Sequence, residues 1–179
     1  TPRTSSAASD VYKRQTKGTP IIGHGDVKRQ LLIMRSLTEA MRALILVSAE
    51  IMEEAEKEKS KMNLEAFLIP IIKGWCTELA QEVTSLGVQI HGGMGYIEET
   101  GAAQIMRDAR ILPIYEGTNA IQANDLMFRK TLKDSGETAQ QILTIIKDEV
   151  QSDEEILQAV NKCEEAVSYT HLTLPTMFE

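Results

Sequence analysis

A single carboxylate, Glu116, stands in "RILPIYEGTNAIQ" (Arg110 to Gln122) between an apolar run and a Gly-Thr-Asn step. Two chemistries suit it. An acidic side chain is favoured where a helix is about to begin, because the first N–H groups there carry partial positive charge. A carboxylate on an apolar loop is also a good proton acceptor, since desolvation disfavours its charged form. Ile111, Leu112, Pro113 and Ile114 offer such a dry setting. Metal chemistry has no comparable signal: Cys76 and Cys163 lie far apart without ligand spacing, and Cys76 reads as a reduced core thiol.

The elements that must position Glu116 read as helices. From Asp26, apolar residues recur at Ile33, Leu37, Ala40, Leu44, Val47 and Ile51, an amphipathic helix of roughly eight turns. The charge run "EEAEKEKSK" closes it as a solvated end. A second long helix is expected from Asn63, as N-cap, to Ile90, burying Leu64, Phe67, Leu68, Ile71, Trp75, Leu79, Val83 and Leu86, with Pro70 in its second turn. "GGMG" ends it and a shorter helix crosses "AAQIMRDARIL". The next begins at Thr118 or Asn119, where Asn119 and Gln122 form a capping-box pattern. "KDSGE" breaks the pattern before two further helices, Glu137 to Val150 and one from Asp153 opened by Ser152. No strand alternation or internal repeat is present. The pattern predicts an all-α fold, an antiparallel four-helix bundle with extra C-terminal helices.

The two ends read differently. "SSAASDVYKRQ" (Ser5 to Gln15) can be encoded by a DNA string whose reverse complement, taken from its third base, translates as "VSYTHLTLPT" (Val167 to Thr176). One DNA element in opposite orientations is the mark of a sequencing-library adapter, and such segments are set aside from fold reasoning. Residues 1–15 and 167–179 are therefore expected to be adapter-derived, which leaves Tyr12, Lys13, Arg14 and His171 without functional meaning. Residues 16–134 are expected to form one helical domain and 135–166 the start of a helical extension, a piece cut from a longer gene. The net charge is −7. The ends contribute +1 to it (Arg3, Lys13 and Arg14 against Asp10 and Glu179), so the remainder is more acidic still. That balance argues against a nucleic-acid partner, which would need a basic face. No apolar run approaches the roughly 20 residues of a membrane span.

Taken in order, Q-x-x-G-G, G-Y, R-D-A-R and Y-E-G-T-N in "GVQIHGGMGYIEE…MRDARILPIYEGTNAIQ" resemble the C-terminal helical domain of the acyl-CoA dehydrogenases, over most of Gly25 to Lys133. The form "YEGTNAIQANDL…RK" looks like the family's long subfamily, which includes methylmercaptopropionyl-CoA dehydrogenase. The resemblance implies an FAD-dependent oxidoreductase of fatty acid metabolism that desaturates an acyl-CoA between its α and β carbons. It makes Glu116 the base that takes the α-proton, with the β-hydride going to the flavin. Tyr115 and Gly117 match positions at the substrate, Gly117 through its backbone beside the thioester. Thr118, Asn119 and Ala120 match a stretch that contacts FAD, where helix-terminal donors suit a pyrophosphate or adenosine group.

Gln89, Ile90, His91, Gly92 and Gly93 match the segment that meets the FAD of a neighbouring subunit, which implies a homodimer or homotetramer. Read without the resemblance, Gly92 and Gly93 are a helix C-cap. His91 is structural or cofactor-adjacent. Arg107, Asp108 and Arg110 are expected to form an ion-pair lattice fixing the Glu116 loop, and Glu98 and Glu99 a surface pair. The resemblance further implies an electron-transfer flavoprotein as redox partner, a bacterial cytoplasmic location, and inactivity of this piece alone, because the family's other two domains cover the flavin. Two readings stay open beside it: an acyl-CoA oxidase that passes electrons to oxygen, and a non-catalytic helical binding protein of the same superfamily.

Overall fold

The computed structural model describes residues 20–150 and 152–177, with side chains described as far as Tyr169. The expected adapter segment 1–15 lies outside these residues. Helix α1, Gly25–Lys57, runs 33 residues behind a 3-10 turn at Ile21–Gly23. Asp26 opens it by accepting from Arg29 and Gln30 at 2.7 and 2.6 Å. Those two hydrogen bonds hold its carboxyl below the usual carboxylate range. The inner seam of α1 is Leu44, Ser48, Ile51 and Ala55. Ser48 is buried because its hydroxyl donates to its own Leu44 carbonyl at 2.7 Å. Val47, expected in that seam, is 53% exposed, and Ala40 also faces out. Only one flank of α1 is covered by other helices, so the apolar stripe is wider than the contact it makes.

A short 3-10 turn, Lys59–Lys61, reverses the chain, and Lys61 Nζ reaches Glu54 Oε2 at 2.6 Å across it. Helix α2, Met62–Ile71, starts directly from that turn, so Asn63 lies inside the helix and is not its cap. Pro70 is buried in α2 and cannot donate to the ladder. Immediately after it the helix widens into a π turn, Ile72–Cys76, before continuing as α3, Thr77–His91. Phe67 and Leu68 are buried as expected, whereas Trp75 is 41% exposed. The wide turn carries an extra residue, which moves Trp75 off the stripe that regular spacing assigned to it.

Gly92 (φ +60) caps α3, its N–H bonded to Gln89 O at 3.0 Å. Helix α4 (Gly93–Tyr96) and a 3-10 turn (Glu98–Thr100) lead into α5, Ala102–Arg110, which packs back along α3. Small buried Ala103 and Ala109 let the two helices approach, and Gln81 Nε2 donates to the Ala109 carbonyl. Helix α6, Asn119–Asn124, passes into a second π turn, Asp125–Thr131, that packs on α2. Helices α7 (Glu137–Glu149) and α8 (Glu154–Met177) pair with each other, joined by Lys147 Nζ and Glu164 Oε2 at 2.5 Å. Asp153 Oδ1, not Ser152, caps α8, accepting from Glu155 and Ile156 N–H at 3.1 and 3.2 Å. Helix α8 continues without a break past Val167, where the second adapter segment was expected to begin.

The protein is all-α, with no strand among the described residues. Its core is thin. No large side chain among them is fully buried, and Leu32, Leu46, Ile69 and Ile121 each expose about half or more of their surface.

Candidate active site

Helix α5 delivers the chain to the Glu116 loop, and α6 carries it away. Ile114 and Tyr115 N–H groups bond to Ile111 O at 2.9 and 3.1 Å, a compact turn around buried Pro113. Glu116 then takes φ +55 and Gly117 φ +87, two consecutive left-handed residues. For glycine this is free, but for glutamate it costs roughly 1–2 kcal/mol. Such strain persists only where the surroundings over-determine it, and it gathers at functional sites. Glu116 is exposed, and Ile111, Ile114 and Tyr115 are each about half exposed. The dry pocket expected around Glu116 is therefore not closed by this chain alone: the apolar wall is present and its far side is open.

The loop is held by a polar network anchored in the π turn. Lys73 Nζ donates to Gly117 O at 2.6 Å and to Asn119 Oδ1 at 3.0 Å. Asn119 Nδ2 donates to Gly74 O at 3.2 Å and Glu78 Oε1 at 2.7 Å, with Thr77 Oγ1 also 3.1 Å away. Asn119 is thus no N-cap. Thr118 holds that position, and Gln122, expected to complete a capping box, instead donates to Glu116 O at 3.2 Å. Lys73, Thr77 and Glu78 carried no functional reading in the sequence. The one available signal was Pro70, which marks where a helix ladder must be interrupted.

The expected lattice of Arg107, Asp108 and Arg110 does not form. Arg107 pairs with Glu98 at 3.2 Å, Asp108 accepts from Gln104 at 2.6 Å, and all three lie exposed on the outer side of α5. Glu98 is consequently an ion-pair partner and not simply half of a surface pair. Cys76, in the π turn, is half-buried, and that burial pushes its thiol pKa up.

Gln89, Ile90, His91, Gly92 and Gly93 close the far end of α3. His91 lies seventeen residues beyond Gly74 along the π turn and α3, about 25 Å at the usual helical rise. The structure therefore brings Tyr115, Glu116, Gly117, Thr118 and Asn119 together at one end of α3 and the Gln89–Gly93 segment at the other. His91 Nδ1 is 2.7 Å from Gly87 O, so one ring nitrogen is spent on the helix terminus. Gly92 and Gly93 are exposed, and a side chain added at either would meet only open space. A bare backbone of this kind fits the flat face or phosphate oxygens of a dinucleotide. At the other end Thr118 and Ala120 are exposed, whereas the Asn119 side chain is committed to the bundle and its backbone N–H to the Pro113 carbonyl at 3.2 Å.

Residues 4–130 match the model of the acyl-CoA dehydrogenase C-terminal domain. A 3-methylmercaptopropionyl-CoA dehydrogenase from Ruegeria pomeroyi is 58% identical over 132 residues, which cover 71% of this chain and 22% of that protein. A butyryl-CoA dehydrogenase from Syntrophomonas wolfei is 37% identical over 72% of this chain and 22% of its own length. A broad-specificity linear acyl-CoA dehydrogenase from Mycobacterium tuberculosis is 33% identical, with 72% and 23% covered. The chain spans under a quarter of the length of these relatives.

Proposed function

The chain belongs to the acyl-CoA dehydrogenase family, matching its C-terminal domain, and from that premise we propose that it supplies the base of an α,β-desaturating acyl-CoA dehydrogenase. The observation that carries the reading is the strained Glu116–Gly117 turn, held open at the end of an apolar wall. Glu116 accepts the α-proton of the acyl thioester, and the electron pair of that C–H bond becomes the second bond between Cα and Cβ as a hydride leaves Cβ. Tyr115 and the Gly117 backbone border the substrate. FAD, when bound, supplies the acceptor for the hydride. Thr118 and Ala120 serve one cofactor, and Asn119 fixes the turn between them to the bundle. Gln89, Ile90, His91, Gly92 and Gly93, about 25 Å along the helix, serve another in a neighbouring subunit. The active form is accordingly a homodimer or homotetramer whose further domains complete the pocket, and this chain alone does not turn over substrate.

Electrons pass onward to an electron-transfer flavoprotein. The relatives' names, dehydrogenases in each case, favour that acceptor over oxygen. An intact Glu116 and an acidic surface favour an enzyme over a binding protein. The test uses the complete protein carrying this chain, loaded with FAD, beside its Glu116→Gln variant. Anaerobic addition of 3-methylmercaptopropionyl-CoA, butyryl-CoA and longer acyl-CoAs is followed by flavin absorbance. Bleaching of the parent by one acyl class, with a variant that keeps FAD but does not bleach, is the expected result. Equal bleaching of both moves the base elsewhere.

A further inference from the structure

Lys73 lies in neither segment to which the proposed chemistry is assigned, yet its ammonium holds the turn on which Glu116 sits. Its carrier is the π turn, where one extra residue per turn redirects side chains relative to a regular helix. Lys73 is half-buried, with bonds of 2.6 Å to Gly117 O and 3.0 Å to Asn119 Oδ1. A lysine in that state gives up rotamer freedom and hydration that a surface lysine keeps. Charge-assisted bonds to both sides of the Gly117–Asn119 step offset that loss.

Two carbonyls flank the strained turn. Glu116 O is held by Gln122, from the same loop–helix unit, and Gly117 O by Lys73, which reaches it across 44 residues of chain from a different helix. The first clamp closes the turn on itself. The second fixes the closed turn to the bundle, and therefore sets where Glu116 stands relative to anything bound outside it.

We propose that Lys73 is a positioning residue for Glu116: its ammonium locks the left-handed Glu116–Gly117 turn to the π turn and so holds the base in reach of the substrate. This rests on the reading of Glu116 as the base. Proton transfer from carbon is sensitive to misplacements of about 1 Å, so loosening the turn slows the chemical step more than it weakens substrate binding.

The experiment measures anaerobic flavin bleaching in the complete, FAD-loaded protein across a series of acyl-CoA concentrations, for Lys73→Met, Lys73→Arg and Glu116→Gln. Lys73→Met is expected to lower the limiting bleaching rate roughly 10- to 100-fold, with the half-saturating concentration changed by less than about threefold. Lys73→Arg, which keeps the charge and the donors, is expected to recover most of the loss. A Lys73→Met protein that bleaches at the parent's limiting rate, or whose whole defect is in half-saturation, overturns the proposal. Should Lys73→Met fail to accumulate with FAD bound, Lys73→Gln takes its place: a parental limiting rate overturns the proposal, and a comparable fall supports it. The parallel variant separates the two ideas. If Glu116→Gln bleaches normally, the base assignment has failed; if it is silent while Lys73→Met is normal, only the role of Lys73 has.

Discussion

Asn119 Nδ2 donates to Glu78 Oε1 at 2.7 Å, while the oxygen of the same carboxamide accepts from Lys73 Nζ at 3.0 Å. The amide is oriented by what surrounds it: a cation on its acceptor side, and a carboxylate with the Gly74 carbonyl on its donor side. Asn119→Asp would turn the donor into an oxygen facing two acceptors. We expect a loss of about 1–3 kcal/mol in unfolding free energy, read from urea titration. Glu78→Gln in the same chain restores a donor opposite the new carboxylate and should return part of that loss. Strict additivity of the two changes would show that the side chains do not interact.

The backbone at the turn separates neighbouring residues by their tolerance of left-handed φ. Gly117→Ala adds a Cβ at φ +87, with Gln122 Nε2 only 3.2 Å from it, and should cost about 1–3 kcal/mol. Glu116→Gly removes strain from the folded state and adds freedom to the unfolded one, so the terms largely cancel. Thermal unfolding should place Glu116→Gly within a few degrees of the parent and Gly117→Ala clearly below it. A Glu116→Gly protein as unstable as Gly117→Ala would mean that φ +55 at Glu116 is not strained.

Much of the scaffold was legible because it depends on local pattern. The 3.6-residue period marks α1, α3 and α5, and Gly92 marks the end of α3 by a backbone conformation that glycine adopts cheaply. Where the sequence misled, a tertiary partner had replaced a local one. Asn119 and Gln122 have the types and spacing of a capping box, but a lysine 46 residues away outcompetes the helix for the Asn119 side chain. Val47 obeys the period and yet lies open, since burial depends on how many neighbours a helix has, and Trp75 lies open because the π turn breaks the period that assigned it to the stripe. The clamp on Gly117 had only one local trace, Pro70. It requires Pro70 to disturb the helix, the π turn to follow, and α5 to return the loop to that height.

The two cysteines should report this environment independently. Cys163 is exposed and Cys76 half-buried, so a thiol-alkylating reagent should modify Cys163 first and Cys76 slowly until denaturant is added. Burial raises the Cys76 thiol pKa, which means that the folded state holds its proton more tightly than the unfolded state. The contribution is complete below the ordinary thiol pKa and is lost as pH rises through the raised one. Between neutral and strongly alkaline pH, Cys76→Ala should therefore lose less stability than the parent. An identical loss in both would remove Cys76 as a source of alkaline sensitivity.

Two glycines close together at the end of α3 should behave oppositely. Gly95 is buried, and a Cβ there would overlap the Val88 carbonyl oxygen and crowd the His91 Cβ, neither of which can easily yield. Gly95→Ala must push α4 away from the end of α3 and should lower unfolding free energy by about 1–3 kcal/mol. Gly93, at the first position of α4, has only open space where its Cβ would go. Gly93→Ala should therefore stay within about 0.5 kcal/mol of the parent in this chain. In the complete protein the same methyl would stand between the backbone and whatever lies against it. If Gln89–Gly93 seats a cofactor, Gly93→Ala should weaken FAD retention, measured by flavin fluorescence on dilution, with unfolding unchanged. Unaltered retention would return Gly92 and Gly93 to a purely structural role, as the end of a helix.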